Sequence, residues 1–313
     1  MSRSSLARLV LLALLWGSSF LWIKLALRGF SPMQIVVVRL ALGVIVLAPI
    51  AGIRGLGWPK GLGTWGHLFV AALVANVIPY TLFGVAEQNI GSNVAGVLNA
   101  TTPLWTVFVA LLVGIERKID SRRVCGLILG FAGTILIFSP WQSSGEIASW
   151  GGMACLAAAA SYGISYVYMG RFLAGRGIPS ITLAASQLAA GAILATVALP
   201  VEGLPAPTWR PEAVGSLLVL GLLGTGAAYV LNYRLIEDEG PTAASTTTYL
   251  LPIVAVVLGA LVVREAVTWP MALGAVAVLA GVGLAQRRAS GKSQTGAAAN
   301  ERQRPRGVER SAR

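Results

Sequence analysis

Long apolar runs recur along the whole chain and constrain its fold more than any other feature. Each run covers about 18–22 residues, the length that an α-helix needs to cross a hydrocarbon core of roughly 30 Å. Only 12% of the residues are charged, whereas a typical soluble domain has roughly 25%. Most of the chain is therefore expected to avoid water. The sequence predicts an all-α polytopic membrane protein.

We predict ten transmembrane helices joined by short loops. Their approximate bounds are 9–27, 33–51, 67–87, 94–114, 122–139, 149–169, 181–200, 213–235, 242–262 and 269–286. With a cytoplasmic N-terminus, 11 basic residues before the tail fall on the inner side and 3 on the outer side. The positive-inside rule then predicts that both termini are cytoplasmic. We expect a multi-pass protein of the plasma membrane, which is the inner membrane in a bacterium.

The net charge of +12 is explained by where the basic residues lie in the chain. Eight of the 24 basic residues lie in the tail 287–313, which is rich in small and polar residues. Such a composition favours disorder, and a basic segment beside a membrane is attracted to anionic lipid. We therefore interpret the tail as a disordered cytoplasmic segment near the lipid bilayer, and we expect no nucleic-acid partner.

The chain also repeats itself, because four residues recur 149 positions later in the same order. The pairs are Tyr80 and Tyr229, Gly91 and Gly240, Pro103 and Pro252, and Glu116 and Glu265. We predict two repeats, at 1–139 and 140–286. Each has five spans, and an odd number inserts the second repeat upside down. Two inverted five-helix repeats are typical of secondary transporters, whose substrate site lies near the membrane midplane.

These motifs carry a family resemblance. A small-residue span, a mid-span proline, a terminal glutamate and a glycine-rich following span occur twice, and "LLWGSSFLWIK" and "RLALG" precede them. The pattern resembles the EamA-type family of the drug/metabolite transporter superfamily over about residues 9–286. The resemblance implies a ten-helix, exporter-like carrier in which helices 1–4 and 6–9 surround a central cavity. Helices 5 and 10 are then expected beside that cavity.

Pro103 and Pro252 lie near the middle of their spans, and we predict a helix break at each. A proline cannot donate to the carbonyl four residues earlier, which frees the carbonyls of Asn99 and Thr248. A freed carbonyl in a membrane must find another partner. One alternative is a substrate or water in a cavity, and the other is a neighbouring threonine hydroxyl that satisfies the kink.

Polar and aromatic side chains near mid-depth are expected to line a cavity for a small-molecule substrate. The candidate substrate-binding residues are Trp16, Asn76, Tyr80, Asn99, Thr102, Tyr162, Tyr166, Tyr229, Thr248 and Tyr249. The alternative is that these aromatic residues are ordinary core residues with one hydroxyl partner each. The serine and threonine hydroxyls, in turn, often bond only their own backbone.

Arg39 lies about two turns inside the second span, where a charge costs about 2.5–3.5 kcal/mol. We predict that it pairs with Glu87 at the outer end of the third span, either as a gate or as a static brace. The sequence "GLILGFAG" (126–133) has a Gly-x3-Gly spacing that suits close helix packing. Packing within the monomer is favoured, and a homodimer is the alternative.

The leading functional hypothesis is a secondary transporter that exports small metabolites, such as amino acids or xenobiotic-like compounds. An importer or a facilitator is the alternative within transport. An intramembrane enzyme needs a deep nucleophile, metal cluster or acid pair, and one histidine with no mid-depth acid argues against that class. A receptor or assembly factor is the third class. We predict no cofactor and no metal, and the chain has no GxxxxGK[ST] motif for a nucleotide.

Overall fold

The computed structural model describes residues 2–90, 92–115, 120–139, 141, 149–258 and 268–286, and every regular element in these ranges is helical. The described ranges contain fifteen α-helices: α1 (Arg3–Gly17), α2 (Ser19–Ala26), α3 (Pro32–Ile53), α4 (Leu62–Ala72), α5 (Ile78–Ala86), α6 (Ser92–Asn99), α7 (Thr102–Leu112), α8 (Ser121–Phe138), α9 (Trp150–Phe172), α10 (Ser180–Ala198), α11 (Pro211–Gly221), α12 (Ala228–Glu239), α13 (Pro241–Ser245), α14 (Thr247–Leu258) and α15 (Trp269–Gln286). A first π segment (Leu73–Val77) joins α4 to α5, and a second π segment (Leu222–Ala227) joins α11 to α12. A short 3-10 helix, Leu199–Glu202, follows α10.

Seven stretches are long and apolar enough to cross a membrane. They are Arg3–Ala26, Pro32–Ile53, Leu62–Ala86, Val94–Leu112, Ser121–Phe138, Ser180–Glu202 and Pro211–Glu239, and a shorter apolar helix covers Trp269–Ala285. Two predicted spans remain, and they correspond to α9 and to α13 with α14. The end of the predicted span 242–262, from residue 259 on, lies outside the described residues. Buried serines and a buried tyrosine lie along α9, as expected for a helix that faces other helices rather than lipid.

Both proline-containing stretches are interrupted, but each interruption precedes the proline. The first separates α6 from α7 at positions 100–101, so that Pro103 lies in the first turn of α7. A proline there is tolerated, since its missing N–H has no intrahelical acceptor. The second interruption lies at Thr246, and Pro252 lies inside α14. A proline disrupts the turn before it; the first interruption lies in that turn before Pro103, whereas the second lies six residues before Pro252, which α14 contains.

Threonine hydroxyls satisfy backbone carbonyls at both interruptions. The Thr101 hydroxyl donates to the carbonyl of Leu98 at 2.6 Å, and the Thr248 hydroxyl donates to the carbonyl of Ser245 at 2.8 Å. Such bonds to a carbonyl three residues earlier offer the backbone an alternative to the regular helical pattern. The accepting carbonyls are those of Leu98 and Ser245 rather than those of Asn99 and Thr248, so both alternatives for the two predicted carbonyls stay predictions.

The first π segment has a local cause in Pro79, which lies just after it. Proline has no N–H, so the carbonyls of Val74 and Ala75 lose the donor that a regular or π-helical turn needs at position 79. Side chains from other helices replace it: the Ser161 hydroxyl donates to Val74 and the Tyr229 hydroxyl to Ala75, each at 2.7 Å. The π segment thus ties α9 and α12 to the helix that contains it.

Glycines hold α8 and α15 in backbone contact. A methyl group added at Gly133 would lie 2.6 Å from the carbonyl oxygen of Gly274, and one added at Gly126 would lie 2.7 Å from that of Gly281. The Gly-x3-Gly face is therefore used within the chain, as the sequence favoured. Small residues allow this approach where helices have no hydrophobic drive to associate.

The remaining helices pack around a central region. Helix α1 lies against α14 and α12, α3 lies against α10 and the second π segment, and α9 lies against α5 and α7. Several expectations fall outside the described residues, namely those for Gly91, Glu116, Glu265 and the tail 287–313.

Candidate functional site

A cavity lies where these helices meet, and the empty space within it and its opening to solvent is about 710 Å³. Both halves of the chain contribute to its wall, and neither α8 nor α15 does. The lining residues are Trp16, Ser19, Ile23, Arg39, Ala75, Tyr80, Phe83, Asn99, Tyr162, Ser165, Tyr166, Tyr229, Asn232, Thr248 and Leu251. An apolar, aromatic wall with a few polar groups is typical of a site for a small organic molecule.

Arg39 is the charged residue of this wall. Its side chain is only 4% exposed. The Nε–H donates to the hydroxyl of Thr225 in the second π segment at 3.0 Å. The guanidinium carbon lies 3.7 Å from the centre of the Tyr80 ring, a cation–π contact that strengthens when both groups are desolvated.

The predicted ion pair between Arg39 and Glu87 is not present. No carboxylate among the described residues lies within 4.0 Å of Arg39. Both carboxylate oxygens of Glu87 are buried and lack a hydrogen-bond partner in the described part of the chain. The reason is distance along the helix: Glu87 follows Tyr80, on which Arg39 rests, by seven residues, or about 10 Å at 1.5 Å per residue.

Two aromatic side chains of the cavity wall, Trp16 and Tyr229, donate hydrogen bonds to carbonyls of the two π segments. The indole N–H of Trp16 donates to the carbonyl of Gly224 at 3.2 Å. The N–H of Ala228, at the end of the π segment, bonds the carbonyls of Leu223 and Thr225 rather than that of Gly224. The Trp16 ring also meets the Tyr229 ring edge-on at 6.3 Å. Irregular helical turns of this kind are frequent at functional sites.

Most of the predicted substrate-binding residues come together in this wall. Those that line the cavity are Trp16, Tyr80, Asn99, Tyr162, Tyr166, Tyr229 and Thr248. The tyrosines of α5 and α9 lie close to one another, with 6.5 Å between the ring centres of Tyr80 and Tyr162.

Three predicted residues lie outside the cavity wall. Asn76 is fully buried and its Oδ1 accepts from Gln187 Nε2 at 2.7 Å. Thr102 is also buried, and its hydroxyl is 3.4 Å from the Asn99 Oδ1 that it donates to. Tyr249 points to α8, where its hydroxyl donates to the Leu127 carbonyl at 2.9 Å. Each lies on a helix face that turns away from the cavity, which mid-span depth alone cannot reveal.

The wall also contains residues that were not predicted to bind substrate. Besides Arg39, which was assigned to a gate, they are Ser19, Ile23, Ala75, Phe83, Ser165, Asn232 and Leu251. Five of these seven residues follow a predicted lining residue by three positions, and residues three apart share a helix face. The spacing leads from Trp16, Tyr80, Tyr162, Tyr229 and Thr248 to Ser19, Phe83, Ser165, Asn232 and Leu251.

Two buried polar atoms at the cavity lack a partner among the described residues: the hydroxyl of Tyr166 and the Oδ1 of Asn232. Buried polar groups in folded proteins are nearly always hydrogen-bonded, so these two atoms indicate a bound molecule or water. Within the described ranges, no three His, Cys, Asp or Glu side chains come together as a metal site.

Sequence comparison decides the family. The model of the EamA-like transporter family matches residues 4–139 and again residues 149–286. The chain belongs to the EamA-like transporter family. An EamA-like chain with these apolar helices is a multi-pass membrane transporter.

Relatives of this EamA-like protein bear names of the same kind. The "Uncharacterized inner membrane transporter YedA" of Escherichia coli (strain K12) is 32% identical over 253 residues, which cover 79% of each chain. An "Uncharacterized transporter" of Archaeoglobus fulgidus is 28% identical over 280 residues, which cover 88% of this chain and 94% of the relative.

A solved crystal structure has the same fold. It superposes with a TM-score of 0.73 and covers 92% of this chain and 100% of its own, at 19% sequence identity. At that identity the likeness concerns the fold alone.

Proposed function

We propose that the protein is a secondary transporter that exports small organic metabolites by alternating access. The observation that carries the proposal is the cavity, whose wall comes from both halves of the chain. A site between two repeats lets one half rock against the other and open the cavity to each side in turn. In this proposal both termini lie in the cytoplasm, and the membrane is the plasma membrane, which is the inner membrane in a bacterium.

The proposed architecture has ten spans in two inverted repeats, and matched structural features support it. The two π segments begin 149 residues apart, at Leu73 and Leu222. The carbonyls that accept from Tyr229 and Trp16 belong to Ala75 and Gly224, which are also 149 residues apart. The double match to the family model gives further support.

A second matched pair crosses between the halves. In "RLALG" (39–43), Arg39 of α3 bonds Thr225 in the second π segment. In "QLAAG" (187–191), Gln187 of α10 bonds Asn76 in the first π segment. A two-fold relation between the repeats accounts for both contacts.

Filling the cavity tests the function. Ser165 lines the cavity, whereas its neighbour Ile164 is 43% exposed on the outer face of the same helix. We expect cells that overexpress the wild-type protein to enrich particular metabolites in the medium. The Ser165→Phe variant should lose this enrichment, and the Ile164→Phe variant at equal expression should keep it. Unchanged export by Ser165→Phe, or no enriched compound with the wild type, contradicts the proposal.

A further inference from the structure

Arg39 places a positive charge in the cavity wall, and no carboxylate of the described residues lies within 4.0 Å of it. In the described part of the chain, its hydrogen-bonding partner is the neutral Thr225 and its stacking partner is the neutral ring of Tyr80. A buried cation is costly unless an anion compensates it. Charged residues inside transmembrane segments are rare and often mark the pathway of a substrate or ion.

The second repeat shows that the bridging contact itself needs no charge. At the matching position, Gln187 makes the corresponding bond to Asn76, and its Oε1 accepts from the hydroxyl of Tyr233. Gln187 is fully buried and does not line the cavity. A neutral side chain is therefore sufficient to join this helix to the opposite π segment. The charge of Arg39 is therefore not needed for that contact, and Arg39, unlike Gln187, lines the cavity.

The hydrogen-bonding capacity of Arg39 is mostly unused. A guanidinium has five N–H donors, and the structure assigns a protein acceptor among the described residues to Nε alone. The two Nη atoms thus retain the edge that pairs with a carboxylate through two parallel hydrogen bonds. Around this edge the wall is aromatic, with Tyr80, Tyr162 and Phe83 in ring contact.

From these contacts we infer that the cavity selects organic anions: a carboxylate binds the Nη edge of Arg39, and an aromatic or apolar body lies against the neighbouring rings. The inference rests on the proposed transport function, whose substrate class it names. The free hydroxyl of Tyr166 and the free Oδ1 of Asn232 then bind polar groups elsewhere on the solute. Aliphatic amines, which would place a second cation beside Arg39, are disfavoured.

Three matched probes test this selectivity on the purified full-length protein in detergent micelles. They are 3-phenylpropionate, 3-phenylpropanamide and 3-phenylpropylamine, which share one aromatic body and differ in the charge of one group. The measurement is the affinity of each probe from the shift in melting temperature over a concentration series. We expect wild-type protein to bind the carboxylate at least about tenfold more tightly than the amide or the amine, a gap of about 1.4 kcal/mol.

The variant that isolates the charge is Arg39→Gln, because Gln187 shows that glutamine fits the matching position. It should lose the preference for the carboxylate, while Arg39→Lys should keep part of it. Arg28→Gln removes a positive charge at an exposed site outside the cavity and should behave as the wild type. If Arg39→Gln fails to fold, the order of the three probe affinities for the wild type and for Arg39→Lys still tests the preference for the carboxylate.

Several results overturn the inference. They are equal or tighter binding of the amide or amine, no binding of the carboxylate to wild type, or unchanged carboxylate binding by folded Arg39→Gln. Failure of the transport function has a different signature: the carboxylate binds, but the Ser165→Phe and wild-type proteins give the same metabolites in the medium. Export of neutral compounds or amines with no anion among them refutes the inference and leaves the transport function intact.

Discussion

Replacing Gly281 with alanine adds one methyl group at the place where α15 lies against α8. The new carbon would lie 2.6 Å from the Gly126 carbonyl oxygen and 2.8 Å from the Gly130 Cα. Both are backbone atoms, so the two helices must separate rather than rotate a side chain aside. Overpacking of this kind costs about 1–3 kcal/mol, and the better helix propensity of alanine returns only about 0.5–1 kcal/mol.

Gly283 provides the matched control, because it lies two residues along the same helix and an added methyl there meets no atom within 4 Å. Gly283→Ala should be neutral or stabilising by about 0.5–1 kcal/mol, whereas Gly281→Ala should destabilise. The assay is thermal or denaturant unfolding in micelles at equal protein concentration. Equal stability of the two variants would refute the close α8–α15 contact.

Three further predictions concern contacts away from the cavity wall and the topology. Tyr249→Phe removes the hydrogen bond to the Leu127 carbonyl; unfolding in micelles should show a loss of about 1 kcal/mol, with metabolite export unchanged. Gln187→Ala leaves Asn76 without its donor and Tyr233 without its acceptor, and the same assay should show a loss of about 1–3 kcal/mol. A fluorescent reporter that matures only in the cytoplasm, fused to the C-terminus, should fluoresce; a dark, fully expressed fusion contradicts the proposed orientation.

The helices and their glycine contacts could be predicted because they depend on local pattern. Apolar length places the spans, and the glycines of 126–133 predict close packing that the structure contains, with Gly274 and Gly281 opposite them. Helix bounds were less accurate: α1 begins at Arg3 rather than near residue 9. A hydropathy pattern cannot mark the end of a helix that continues past the lipid.

The π segments and the partners of Arg39 could not be predicted, since both depend on contacts between distant parts of the chain. Pro79 gives a local signal for the first π segment, but the second has no proline, and its hydrogen-bond partners Arg39 and Trp16 are distant in the sequence. Glu87 was the nearest acid by depth, yet Thr225 bonds Arg39 because the fold brings α3 against the second π segment.

The most direct test of the central claim measures access to the cavity from each side of the membrane. In a chain whose two cysteines, Cys125 and Cys155, are replaced, Ser165→Cys places a single thiol in the cavity wall and Ile164→Cys places one on the exposed face of the same helix. A small, charged, membrane-impermeant methanethiosulfonate is then applied to right-side-out and inside-out vesicles. Alternating access predicts that the cysteine at 165 reacts in both preparations and the one at 164 in neither. Reaction at 165 from one side only, or from neither, contradicts the account.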